Sequence, residues 1–100
     1  MNIIWLPVAI QDLQSIYDFY SVQNLKFAEK LYLNILCEAD RLEKHPHLGS
    51  KEPLLNDLKY TFRSIVTHSG LHKIIYYIHQ ETIYISHIWD CRQNPDEIRK

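Results

Sequence analysis

The residues of this sequence able to do chemistry are six histidines, two cysteines, an acid set before a proline, and three cations in or beside β-rich strings. His45 and His47 flank Pro46, with His68 and His72 further on. That spacing fits no structural zinc pattern, so no metal is expected. Cys37 and Cys91 are far apart and form no Cys-x-x-Cys pair, and Cys91 beside Asp90 has no histidine arranged to activate it. His87, with an unperturbed pKa of about 6.5, is a candidate general acid, against the plainer reading of a packed or surface histidine. Glu52 precedes Pro53 in a loop, where a surface acid is the ordinary reading. Arg63, Lys73 and Arg92 either collect into a cationic cluster or stand as solvated residues and partner salt-bridge groups. Nothing in the sequence calls for a cofactor.

The elements that would position these residues follow from periodicity. Asn2–Leu6 is short, β-branched and aromatic, and Pro7 ends it, which predicts a first strand. Pro7 suits a helix's first turn, and Ile10, Leu13, Ile16, Tyr17 and Tyr20 carry a helical stripe to about residue 20. Asn24 is placed to cap a second helix, whose stripe is Ala28, Leu31, Tyr32, Ile35, Leu36, Ala39 and Leu42. The short link between them predicts an antiparallel helical hairpin. His45-Pro46-His47-Leu48-Gly49 stops the helix, with Gly49 supplying a turn, and Ser50–Asp57 reads as a loop.

The period then changes. Tyr60–Val66, His72–Ile78 and Thr82–Trp89 are β-rich, joined by hairpin turns at Thr67–Gly70 and His79–Glu81. His87 alternates with Ile83, Ile85 and Trp89, which predicts that these share one sheet face. The seven tyrosines mostly follow the helix and strand stripes, and core packing is their expected role. The expected fold is α+β, in the order β-α-α-β-β-β: a helical hairpin packed on one face of a small, mainly antiparallel sheet. The opposite sheet face is left for a partner.

The bulk numbers agree with one globular domain over 1–100: hydrophobic content is 46% and charged content 23%. A net charge of −1 is modest for a nucleic-acid binder, which normally shows a basic excess. The opening residues lack a basic segment followed by an apolar one, so no signal peptide is expected, and no apolar run is long enough to span a membrane. With the cysteines read as reduced thiols, the expectation is a cytoplasmic protein with no membrane contact.

The order of elements resembles the RelE/ParE superfamily of toxins over essentially the whole chain. Asn2-Ile3-Ile4-Trp5-Leu6 looks like the opening strand, and His45–Gly49 like the helix-ending turn of ParE-like members. His72-Lys73-Ile74-Ile75-Tyr76 resembles the family's Tyr-Arg-Ile-Ile-Tyr strand, and Ile85–Pro95 the closing strand with its Arg-bearing tail. The order and spacing of these strings carry the resemblance, since no single one is specific. It implies a cognate antitoxin as partner, allows a toxin–antitoxin heterotetramer, and offers two modes of growth inhibition. RelE- and YoeB-like toxins cut mRNA on the ribosome, whereas ParE-like toxins bind and block DNA gyrase.

RNA cleavage by the 2′-hydroxyl needs a base, cations to offset charge on the phosphorane, and an acid for the leaving oxygen. The resemblance implies Glu52 as the base, and Arg63, Lys73 and Arg92 as the cations. The acid is the mismatch. A histidine two residues after the tail arginine is expected in YoeB-like toxins, and Asn94 stands there. His87 or another group would have to serve as the acid. Lys73 also replaces an arginine and lacks its bidentate fork. These departures and the low charge favour a ParE-like toxin of a plasmid-stabilisation module, acting on gyrase by binding. The alternatives are a ribosome-dependent mRNA endoribonuclease and an inactive toxin-fold module that only binds antitoxin.

Overall fold

The computed structural model describes residues 1–55 and 59–93. Strand β1 (Asn2–Trp5) leads through Leu6 into helix α1 (Pro7–Ser21), with Pro7 in the first turn and no side-chain cap from Leu6. Helix α2 (Leu25–Asp40) opens on Asn24, whose Oδ1 accepts the N–H of Phe27 at 3.1 Å. A 3₁₀ turn, Arg41–Glu43, continues it. The predicted stripe is the buried one: Ala28, Leu31, Ile35, Ala39 and Leu42 are all within 3% of full burial. Each buried Leu or Ile contributes roughly 1.5–3 kcal/mol, so tertiary burial rather than helix propensity holds α2 in place.

The sheet has five strands in the order β1-β5-β4-β3-β2. Its members are β2 (Ser50–Lys51), β3 (Phe62–Val66), β4 (His72–His79) and β5 (Thr82–Asp90), besides β1. β1 runs parallel to β5 and every other pair is antiparallel. The expected α+β architecture is present, with one more strand than the sequence suggests. Ser50–Lys51, expected as loop, pairs with Ser64 and Arg63. A 3₁₀ turn, Pro53–Leu55, follows and lays Leu55 against Ile75 and Trp89. The sheet face away from the helices is therefore partly covered by the chain itself.

The main core fills the space between hairpin and sheet: Ala9, Leu13, Leu31, Ile35 and Ala39 meet Ile74, Tyr76, Ile83, Ile85 and Ile88. A β-bulge sets the faces of β5. Ile75 pairs with His87 but Tyr76 pairs with Ile85, so Ser86 is an extra residue on β5. The alternation therefore slips by one. Ile83 and Ile85 point to the helices, whereas His87 and Trp89 belong to the open face with Ile75. The expectation that His87 shares a face with Ile83 and Ile85 fails for this reason.

Beyond Ile85, β5 outruns its pairing with β1, and α1 supplies the missing acceptor. Asp12 Oδ2 accepts the N–H of Ile88 at 3.0 Å. Gly49 also acts differently from expectation, since it is not among the residues with positive φ. Its lack of a side chain permits close approach: a Cβ there would lie 2.7 Å from the Ser64 carbonyl oxygen and 2.8 Å from the Tyr76 hydroxyl.

Candidate functional site

Three segments converge on Glu52. The N–H of Glu52 donates to the Phe62 carbonyl at 2.8 Å, which fixes the residue beside β3 just past the end of β2. Its side chain turns inward, and the residue as a whole is only 2% exposed. Ser64 Oγ on β3 donates to Oε2 at 2.6 Å, and Lys73 Nζ on β4 reaches the same oxygen at 2.8 Å. The surface acid expected at this position is a buried carboxylate, because the ammonium and hydroxyl offset much of its desolvation. In this arrangement it anchors the 50–55 segment to the sheet, and Lys73 spends its charge locally. Cys91 belongs to the same neighbourhood, and burial pushes its thiol up from the ordinary value.

The structure does not assemble the three cations into one cluster. Arg63 pairs across the ladder with Tyr76, so it points to the helix side, while Lys73 pairs with Val66 and points to the open face. Arg63 Nη1 donates to the Gly49 carbonyl at 2.8 Å. Arg92, just after β5, is gripped by Asp90 through Nε at 3.1 Å and Nη2 at 2.9 Å, and its Nη2 lies 3.4 Å from the Tyr20 hydroxyl. That grip holds the Asp90 carboxyl below its usual range and raises the guanidinium further. Alternation along β3 and β4 sends Arg63 and Lys73 to opposite faces, and one phosphate cannot touch both. Asn94, the position compared with the missing acid, lies outside the described residues.

His87 sits apart from Glu52, against the start of α1. Its Nδ1 is 2.9 Å from Ser86 Oγ, and burial lowers its pKa against a weaker opposing pull from Asp12. Asp12 itself is raised, chiefly by burial. Beside His87 the open face carries a tyrosine row. Tyr60 and Tyr77 stack at 4.3 Å between ring centroids, and Tyr77 and Tyr84 at 5.2 Å. Burial and the two neighbouring phenols raise the Tyr77 hydroxyl's pKa. Core packing, expected for most of the tyrosines, thus holds for Tyr76, whereas these three are half-buried on the open face.

Sequence reasoning missed Ser64, Asp90, Tyr20 and the tyrosine row. Asp90 and Arg92 stand two apart, a signal that was available. The Ser64–Glu52 contact depends on the β2–β3 register, which no local pattern reveals. Among the described residues there is no group of three or more His, Cys, Asp or Glu able to hold a metal, and no helix long and apolar enough to cross a membrane.

Known proteins give an independent comparison. No curated protein sequence matches this chain at a significant level. A chain titled "Chromosomal ParDE TA system from P. aeruginosa" superposes with a TM-score of 0.76 at 22% identity, covering 90% of this chain and 95% of that one. The YoeB dimer from Staphylococcus aureus gives a TM-score of 0.47 at 23% identity, covering 89% of this chain and 94% of that one. The first likeness shows a shared fold. The family model "ParE toxin of type II toxin-antitoxin system, parDE" matches residues 3–95. With that match over nearly its whole length, the chain belongs to the ParE toxin family of type II toxin–antitoxin systems.

Proposed function

We propose that this chain, as one cytoplasmic domain, is a toxin that acts by binding its target rather than by hydrolysis. DNA gyrase is the expected target, in a plasmid-stabilisation module. The observation that carries this reading is the separation of the candidate catalytic groups. Lys73 is paired with a buried Glu52, Arg92 is held by Asp90, and Arg63 is on the other face of the sheet. Among the described residues a phosphorane would find no convergent set of cations, and a substrate hydroxyl would have to displace Lys73 or Ser64 to reach Glu52. Membership of the ParE family supports the same choice, and a net charge of −1 agrees with a target reached through protein contacts.

A cognate antitoxin is the proposed resting partner, and a heterotetramer is one assembly the pair could form. Exposed apolar side chains at Phe19, Val22, Leu25 and Phe27 around the hairpin tip, and at Leu33 along α2, favour a covering partner.

The test is a supercoiling assay with purified gyrase and purified chain. Loss of supercoiling, or accumulation of cleaved DNA, is the expected result. Unimpaired supercoiling at micromolar excess, together with codon-internal cleavage of translated mRNA that Arg92→Ala abolishes, would replace this reading with the endoribonuclease. Harmless expression of the chain without its antitoxin would leave only an antitoxin-binding module.

A further inference from the structure

A cavity of about 300 Å³ opens between α1 and the last residues of β5. Asp12, Phe19 and Tyr20 line it from the helix, Asp90 and Arg92 from the end of β5 and just past it, and His72 from β4. Ligand pockets run from roughly 300 to 1,000 Å³, so this one suits a single long side chain better than a cofactor.

The charges around this cavity do not cancel. Asp90 and Arg92 form an ion pair at 2.9 Å, which neutralises both. Asp12 accepts the N–H of Ile88 through Oδ2, but no lysine or arginine among the described residues is ion-paired with it. One half-buried carboxylate is therefore left over, and burial already raises its pKa. The rings of Phe19 and Tyr20, 5.0 Å apart between centroids, favour the same sign of ligand, because an aromatic face attracts a cation. His72 marks the place independently. It is 1% exposed, and its Nδ1 has no hydrogen-bond partner among the described residues, whereas buried polar atoms are almost always bonded. The tautomer of that ring does not enter the choice of ligand, which follows from the charge and the aromatic wall.

We infer that this cavity takes the guanidinium of an arginine on a partner polypeptide, with Asp12 as its carboxylate and Phe19 and Tyr20 as its aromatic wall. A guanidinium is planar, stacks on rings and is less strongly hydrated than an ammonium, which favours arginine over lysine here. A free arginine would bring its own carboxylate to a wall that already holds Asp12 and Asp90, whereas a peptide-bonded arginine brings none. Phe19 also belongs to the exposed apolar set at the hairpin tip with Val22 and Phe27, and the Phe27 ring lies 5.3 Å from that of Tyr20. A chain covering those side chains would carry its arginine into the cavity beside them. The site does not depend on which macromolecule the toxin acts on.

The experiment is an NMR titration of the full chain, at fixed ionic strength, with N-acetyl-argininamide, its neutral isostere N-acetyl-citrullinamide, N-acetyl-lysinamide and free arginine. The arginine amide is expected to give saturable shifts at Asp12, Phe19, Tyr20 and His72. The citrulline amide has the same length and no charge, and should bind about tenfold more weakly, the worth of one charge-assisted hydrogen bond. The lysine amide and free arginine should each bind more weakly than the arginine amide. Asp12→Asn removes the charge and keeps an oxygen for the Ile88 N–H, and in it the arginine and citrulline amides should bind equally. The contrast between the two amides on wild type decides even where that variant does not fold. Absence of saturable shifts at these residues, or equal affinity of the arginine and citrulline amides for wild type, overturns the site. Equal affinity of the lysine amide overturns the guanidinium, and equal affinity of free arginine overturns the polypeptide origin of the ligand.

Discussion

Lys73 Nζ lies 2.8 Å from Glu52 Oε2, and the two ends of this ion pair are unequally buried: the lysine side chain keeps 20% of its exposure and the glutamate 1%. The inequality dictates an asymmetric response to mutation. Lys73→Met removes the cation bonded to a buried carboxylate and is expected to cost about 3 kcal/mol, near the low end for broken buried pairs. Glu52→Gln removes the charge that needs compensation, keeps a hydrogen-bonding group, and lets Lys73 reach water; about 1 kcal/mol is expected. Urea unfolding of both variants measures the difference. Equal costs would mean that the carboxylate is hydrated in solution and that the pair does not anchor the 50–55 segment.

Gly49 and Tyr76 form a second anchor for the same segment. The N–H of Gly49 donates to the Tyr76 hydroxyl at 2.9 Å, and that hydroxyl donates to the Pro46 carbonyl at 2.8 Å. Tyr76→Phe keeps the ring and strands both backbone groups, for an expected loss of about 2 kcal/mol. Gly49→Ala forces a methyl to 2.7 Å from the Ser64 carbonyl, which is backbone and cannot swing aside. Its expected cost is about 3 kcal/mol, the upper range for overpacking. Thermal unfolding decides: if Gly49→Ala melts with the wild type, the segment sits less tightly on β3 than the distances state.

The helices were legible in the sequence because each has a one-sided job. α2 buries a single stripe, so its period survives in the residues, and Asn24 marks its start. The strand positions were legible for the same reason, but the faces of β5 were not. One unpaired residue at Ser86 reverses the alternation after Ile85, and nothing in Ile85-Ser86-His87-Ile88 announces a bulge. The candidate site suffered most from this kind of nonlocal information. Glu52 beside a proline looks like a surface acid, and only the pairing of Lys51 with Arg63 brings it over Ser64 and Lys73. The dispersal of Arg63 and Lys73 to opposite faces was within reach, since it needs only the β3–β4 register.

The turn between β4 and β5 carries local strain that can be relieved. Gln80 and Glu81 adopt φ of 49° and 62°, the left-handed region that costs a non-glycine residue of L-configuration about 1–2 kcal/mol. Two-residue hairpin turns with both φ positive favour Asn-Gly. The double substitution Gln80→Asn and Glu81→Gly is therefore expected to stabilise the chain by about 1 kcal/mol. That raises Tm by roughly 4–8 °C in a domain of this size. No change in Tm would show that the turn opens freely in solution and stores no strain.

His72 makes the fold sensitive to mild acid. The ring is 1% exposed, packs edge-on to Tyr20, and has an Nδ1 without a hydrogen-bond partner among the described residues. Burial lowers its pKa below the ordinary 6.5, with Asp90 opposing and Arg92 adding to the shift. The folded chain then binds fewer protons at this site than the unfolded chain, so stability must rise with pH across the window. The contribution is fully present above the unfolded value and declines as pH falls from about 6.5 toward the lowered folded value. His87, also lowered, adds a slope of the same sign. Unfolding free energy measured from pH 8 to pH 5 should therefore fall, and His72→Phe should flatten part of the slope while leaving the share due to His87. A flat wild-type profile, or a slope unchanged in His72→Phe, would place the His72 ring in contact with water.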